Sequence, residues 1–450
     1  MDSRHKISML SRCTSILRLA IPVTISQLGA IIVGFADNIM VGHYSTEALA
    51  SASFVVNIFN VAIFCLMGFS YGLTPLIGRL FPRKMDIAIG RTLRTGMIAN
   101  VIVGCVITAL MSIVYCVIGH LGQPEELLPI IRPFFLIVLA SLIPLALFNT
   151  FSQWSYAIRN TSMPMWIMLG GNILNIAGNY MLIFGHCGMP ELGLLGAGLS
   201  TLIARTAMAI TIIVIFFTCP KYAGYRAGFM NRTPESAPYS MGKIVATSWP
   251  VALQMTFETC AFSLCAVFAG WLGTISLAAF QIIVVVSSLG FCIYYSIGTA
   301  IAVSVSNEAG QNSLSGCRQV AFDGYAVMLL FAAISTCIFI FFAPQLMGTF
   351  TSDSDVLKAA QALILPLALY QLGDATQVTF ANALRGTSHV MPMLWISFFS
   401  YVIAGISSSY ILAFPIGLGN YGIVLSFSVS LFMAATLFFR SFMRVTRTDD

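Results

Sequence analysis

Twelve times along the chain, an apolar run long enough to cross a bilayer is followed by a short polar break. A hydrocarbon core of about 30 Å needs roughly 20 helical residues at about 1.5 Å each. The runs cover residues 16–42, 49–78, 92–119, 130–156, 164–185 and 194–218, then 244–270, 276–305, 320–343, 358–384, 391–414 and 421–440. Inside lipid, a lone segment must satisfy its own backbone N–H and C=O groups, so each run predicts a helix. The 450 residues are 58% hydrophobic and only 8% charged. A soluble domain carries roughly a quarter of its residues as Asp, Glu, Lys or Arg, so a soluble enzyme is excluded. Disorder is excluded too, because it requires low hydrophobicity. The expected fold class is an all-α integral membrane protein of about twelve transmembrane helices.

The Lys and Arg residues orient these spans. With the N-terminus cytoplasmic, every one of the 22 except Arg132, Lys358 and Arg205 falls on the inside, from Arg4, Lys6, Arg12 and Arg18 to Arg440, Arg444 and Arg447. A missing helix would scramble that alternation, so the bias supports both the count and two cytoplasmic termini. The first span follows basic residues as a signal peptide would, but it is too long and holds Pro22 and Asp37, which predicts a retained helix. The 11 cysteines are an odd number and mostly lie in apolar runs, as small buried hydrophobes rather than a disulfide framework. The net charge of +6 is too small and scattered to hold nucleic acid.

The two halves repeat. Pro22 in "IPV" and Pro250 in "WPV" are 228 residues apart, and at the same offset Gly42, Thr46, Leu49 and Ala50 match Gly270, Thr274, Leu277 and Ala278. "PLALF" at 144–148 returns as "PLALY" at 366–370, and "MPM" at 163–165 as "MPM" at 391–393. Each half holds an even number of spans, so both copies enter the membrane in one direction. Parallel repeats of this kind build transporters. The expected domains are an N-lobe at 1–218, a cytoplasmic linker at 219–243 and a C-lobe at 244–450. The Asn231-Arg232-Thr233 sequon in that linker carries no meaning on the cytoplasmic face.

Three acids stand well inside spans: Asp37, Glu258 and Asp374. An ionisable group there is expensive unless it is paired, protonated or facing water, and such groups mark ion or substrate paths. The alternative is an acid neutralised purely for packing. Counted from the outer end of each span, Asp37, Asn179, Thr201 and Asn175 lie about 5, 6, 7 and 10 residues deep, roughly 8–15 Å below the surface. Asn175 and Asn179 share a helix face. One carboxylate, two amide carbonyls and a hydroxyl at one depth suit a hard cation or a proton relay. Equally, Asn and Thr join membrane helices by hydrogen bonds.

The second half has its own set nearer the midplane. Tyr370 and Asp374 are one turn apart, with Gln377 a turn beyond, and Gln254 and Glu258 are one turn apart. A carboxyl in low dielectric there is poised to exchange a proton. Phe257, Phe262, Phe280, Phe291, Tyr294 and Tyr295 lie close by in sequence, and aromatic faces with carboxylates suit lipophilic organic cations. With aromatics at 12% of the chain, most of these rings are core or lipid contacts.

The strings "IPVTISQLGAIIVGFADNIMVGHYSTEALASAS", "GNYMLIFG" followed by "PELGLLGAGLSTLI", "WPVALQMTFETCAF" and "LYQLGDATQVTFANALRG" resemble the MATE (multidrug and toxic compound extrusion) family from about residue 15 to 440. The patterns at Phe257-Glu258 and Tyr370 to Asp374 resemble its NorM-type branch. The resemblance implies a V-shaped pair of six-helix lobes exporting organic cations in exchange for Na+ or H+. It implies N-lobe cation residues at Asp37, Asn175, Asn179 and Thr201, and C-lobe cation or substrate residues at Glu258, Tyr370 and Asp374.

Arg205 complicates the N-lobe set. It lies one turn after Thr201 and has two readings: a charge partner that neutralises Asp37, or a snorkelling or structurally paired arginine. An enzyme is not expected: there is no HExxH, the five His are scattered, and Gly373-Asp374 lacks a second intramembrane Asp. The closer rival is a flippase for a lipid-linked or amphipathic substrate, which needs several cavity-facing cations where Arg205 alone lies within a span. An ion channel is the third class, and the two-lobe repeat favours alternating access over it. The expected partners are organic-cation drugs, Na+ or H+ and membrane lipid, with no cofactor beyond the transported ion and a functional monomer. The expected location is the plasma membrane, the inner membrane in a Gram-negative cell.

Overall fold

The computed structural model describes residues 9–120, 124–231, 238–351 and 353–447. Arg4, Lys6, Arg232 and Thr233, used above for orientation and the sequon, lie outside the described residues. Eleven helices are long and apolar enough to span a membrane: α1 Met9–Tyr44, α2 Thr46–Arg83, α3 Asp86–His120, α4 Glu125–Ala157, α5 Ser162–Phe184, α6 Leu194–Thr218, α7 Met241–Trp271, α8 Thr274–Gly310, α9 Leu314–Phe341, α11 Met391–Ala413 and α12 Gly419–Val445. The remaining span, α10, is the pair Ser354–Gln361 and Ile364–Gly386, bent by 46° at its break. Taking that pair as one span gives twelve, in the expected order, and the described residues hold no strand. Several helices outrun their apolar windows, α1 starting at Met9 rather than 16 and α8 ending at Gly310 rather than 305. Hydropathy marks where lipid ends, whereas i→i−4 hydrogen bonding continues into the aqueous margin.

By packing, the described chain forms two units. One is Ile25–Ala252; the other joins the chain up to Thr24 with the chain from Leu253 onward. Both divisions fall inside a helix, two residues beyond Pro22 in α1 and two beyond Pro250 in α7. A proline inside a helix removes one backbone hydrogen bond and permits a bend at that point.

The polar stretch 219–243 is not featureless. Ala223–Met230 is helical and lies against α3. The approach is so close that a Cβ on Gly90 would stand 1.9 Å from the Tyr225 carbonyl oxygen, and one on Gly228 2.1 Å from that of Ile87. Phe229, Tyr222 and Tyr225 join the ring cluster of Phe151, Trp154 and Phe216. Burial, with Asp86 nearby, pushes the Tyr225 phenol up to about 12. The aromatic residues of this segment are what its polar composition hid.

Candidate functional site

In the Ile25–Ala252 unit, α5 and α6 run close together because glycines line their contact. A Cβ on Gly178 would meet Ser200 Oγ at 2.4 Å, and one on Gly196 the Leu182 carbonyl at 2.4 Å. That proximity lets Ser200 Oγ donate to the Asn175 carbonyl at 2.6 Å. Asn175 Nδ2 donates across the interface to Thr201 Oγ1 at 3.2 Å. Asn179 Nδ2 donates to the Asp37 carboxylate and lies 3.5 Å from Asn175 Oδ1. All four residues predicted at one depth are therefore in a single chain of contacts, from α1 through α5 to α6. Asn179 Oδ1 is buried and accepts no hydrogen bond among the described residues. A buried acceptor left unpaired costs about 1–3 kcal/mol. Carboxylate, amide and hydroxyl oxygens with one unsatisfied member form a donor set that fits a hard cation.

Arg205 is in the same place, lining one cavity with Asp37 but without a hydrogen bond to it among the described residues. Asp37, Thr201 and Arg205 line one cavity of about 210 Å³, with Asn38 and Asn60 beside them and Val56, Phe59 and Phe134 among its apolar walls. Arg205 Nη1 donates to Ser141 Oγ at 2.8 Å. Ser141 sits at the step between two helical segments of α4, and its hydroxyl donates a hydrogen bond to the Val138 carbonyl at 2.6 Å. The guanidinium is thus held by a neutral acceptor, within electrostatic influence of Asp37 but unbonded to it.

In the other unit, Glu258 and Asp374 interact electrostatically, and Tyr370 is close enough to engage both. Asp374 is buried, and its Oδ2 has no hydrogen-bond partner among the described residues. Gln254 and Gln377 are buried as well. Tyr294 donates to Gln371 Oε1 at 2.7 Å. The Phe262 ring meets Tyr370 edge-on at 6.5 Å and lies tilted 4.5 Å from Phe427, so aromatics noted in sequence, Phe262 and Tyr294, border this set.

Tyr401 belongs here and went unnoticed in sequence. It is buried beside Glu258, Asp374 and Tyr370, with its hydroxyl next to the Gln377 side chain. It stands in a π-helical stretch of α11, Phe398–Gly405. Such stretches shift side-chain register and gather at functional sites, and no hydropathy pattern announces them. A fourth membrane acid, Asp323, is buried in α9 and paired with Arg12 of α1. Groups of three His, Cys, Asp or Glu able to hold a resident metal are absent among the described residues.

A family model described as MatE matches residues 22–181 and again 250–411. The two matches begin 228 residues apart, the offset of the internal repeat. A probable multidrug resistance protein NorM of Mannheimia succiniciproducens is 28% identical over 443 residues, covering 97% of this chain and 94% of that protein. The multidrug resistance protein NorM of Vibrio cholerae is 27% identical over 429 residues, covering 94% and 93%. Among solved structures, the eukaryotic MATE transporter AtDTX14 superposes with a TM-score of 0.88 at 18% identity over 98% of this chain and 97% of that one. A MATE transporter of the MOP superfamily in an outward-facing conformation gives 0.84 at 18% identity over 99% of each chain. At such identities the likeness to the solved structures is one of fold.

Proposed function

Since this chain belongs to the MatE family of multidrug transporters, we propose that it exports lipophilic organic cations in exchange for Na+ or H+ by alternating access. The observation that carries this reading is the joined set Asp37, Asn179, Asn175 and Thr201 with its unsatisfied Asn179 oxygen. Those residues hold the coupling ion, as Na+ among the oxygens or as a proton on Asp37. Glu258 and Asp374 take the charge of the cargo or a second coupling ion, and Tyr370 offers its ring and hydroxyl to the same site. Two carboxyls sharing one buried site disfavour being charged together. Arrival of a cation relieves that repulsion, and its exchange for another cation is the elementary step of antiport. A flippase reading is weaker, since one guanidinium in a cavity beside a carboxylate is a poor cradle for a phosphate.

The protein acts as a monomer in the plasma membrane, the inner membrane in a Gram-negative cell, with both termini cytoplasmic and no cofactor. Efflux of ethidium from cells under imposed Na+ and H+ gradients tests the proposal. Efflux should follow one of the two gradients. Efflux that survives collapse of both but stops on ATP depletion would refute it.

A further inference from the structure

Four arginines gather where α9 begins and α12 ends, and none of them pairs with an acid among the described residues. From Gly419 to Arg447 the chain has no Asp or Glu, and Arg440, Arg444 and Arg447 are all exposed. At 3.6 residues per turn these three fall within about 60° of one another, on one face. Arg318 of α9 is anchored beside them: its Nε donates to the buried Thr446 Oγ1 at 3.0 Å and its Nη2 to the Met443 carbonyl at 3.2 Å. Those bonds commit two of its five N–H donors, both to neutral oxygens. The acids of the neighbourhood are turned elsewhere. Asp323 is taken by Arg12, and Glu308 sets its carboxyl against Gly316, about 200° round α9 from Arg318.

One turn inward of the arginines the surface becomes aromatic. Phe322 follows Arg318 by four residues on α9, Phe439 precedes Arg440 on α12, and both rings are exposed. They meet edge to face at 6.4 Å across the two helices, over the buried Phe380 of α10 at 6.1 and 4.9 Å. The apolar runs begin at 320 in α9 and end at 440 in α12, so the rings stand just inside the hydrocarbon and the guanidiniums at its edge.

We propose that this seam binds one anionic phospholipid, its phosphate on Arg318, Arg440 and Arg444 and an acyl chain lying over Phe322 and Phe439. A guanidinium fork matches phosphate in charge and geometry, and basic clusters at the end of a membrane helix favour anionic headgroups. A zwitterionic lipid brings its own ammonium, which the same guanidiniums repel. A free phosphate would satisfy the arginines but leave the rings uncovered, whereas a lipid meets both at once. The inference does not depend on which ion or cargo is exchanged.

The test is native mass spectrometry of purified full-length protein in detergent with equimolar dioleoylphosphatidylglycerol and dioleoylphosphatidylcholine, reading the first lipid retained. The wild type should retain the glycerol lipid over the choline lipid by roughly tenfold. Arg440→Gln with Arg444→Gln, both exposed and free of hydrogen bonds among the described residues, should bring that ratio close to one. Lys84→Gln with Lys221→Gln removes the same charge from exposed positions of the other unit and should leave the ratio unchanged. Excess glycerol 3-phosphate should not displace the lipid. A wild-type ratio near one, or an equal fall in both double variants, would overturn the site, the latter by showing diffuse attraction to basic surface. Displacement by glycerol 3-phosphate would overturn the lipid as occupant in favour of a free phosphate.

Discussion

Asn179 Nδ2 donates to the Asp37 carboxylate, so the acid of α1 is tied to α5 while the amide oxygen, Oδ1, stays unpaired among the described residues. If this is the coupling-ion site, ligand linkage requires that the ion stabilise the folded protein by mass action, by about 2.7 kcal/mol at a hundredfold excess over Kd. Thermal shift of the purified wild type should rise with Na+, or with acidification if the ion is H+, and the rise should vanish in Asp37→Asn. Arg205→Ala should keep it. Absence of any ion effect, together with strong rescue of Arg205→Ala by Asp37→Asn, would mean that the two residues are a structural pair instead.

Glu258→Gln and Asp374→Asn remove charge with little change in volume. Each should abolish or greatly reduce ethidium efflux while the protein still reaches the membrane in normal amount. Retained transport in both single variants and in the double variant would show the cluster to be structural.

Tyr401 carries a buried hydroxyl beside the Gln377 side chain, and a neutral hydrogen bond there contributes only about 1 kcal/mol net. Tyr401→Phe should therefore lower the melting temperature only slightly, yet lower efflux several-fold if the hydroxyl serves the carboxyl cluster. A large fall in melting temperature with normal efflux would assign it to packing.

Arg12 and Asp323 form an ion pair between α1 and α9, with the Arg side chain 24% and the Asp side chain 10% exposed. Breaking a buried pair by removing one partner costs about 3–5 kcal/mol; residual exposure of Arg12 favours the lower end. Arg12→Ala should lower stability accordingly, and adding Asp323→Asn should restore most of it. Additive losses in the double variant would argue against a direct pair.

Much of this molecule is legible in its sequence because lipid forbids so much. The span count and the depth match of Asp37, Asn175, Asn179 and Thr201 follow from hydropathy and helix rise, and the repeat from residues recurring at one offset. What escaped depends on geometry between helices. The docking of Arg205 on Ser141 needed the step in α4 that presents that hydroxyl. Tyr401 needed a π-helical register, and the pairing of Asp323 needed α1 to meet α9. The Ala223–Met230 helix was hidden by a polar neighbourhood, although Gly224, Gly228 and its aromatics were the signal for close packing.

Ion movement driven by cargo tests the central claim most directly. Purified protein is reconstituted into vesicles with equal Na+ and pH on both sides, and ethidium is added outside. The account predicts that Na+ or H+ leaves the vesicles as ethidium enters, without ATP, and that Glu258→Gln and Asp374→Asn each abolish both movements. Ethidium entry with neither ion moving, or entry only when ATP is supplied, would contradict it.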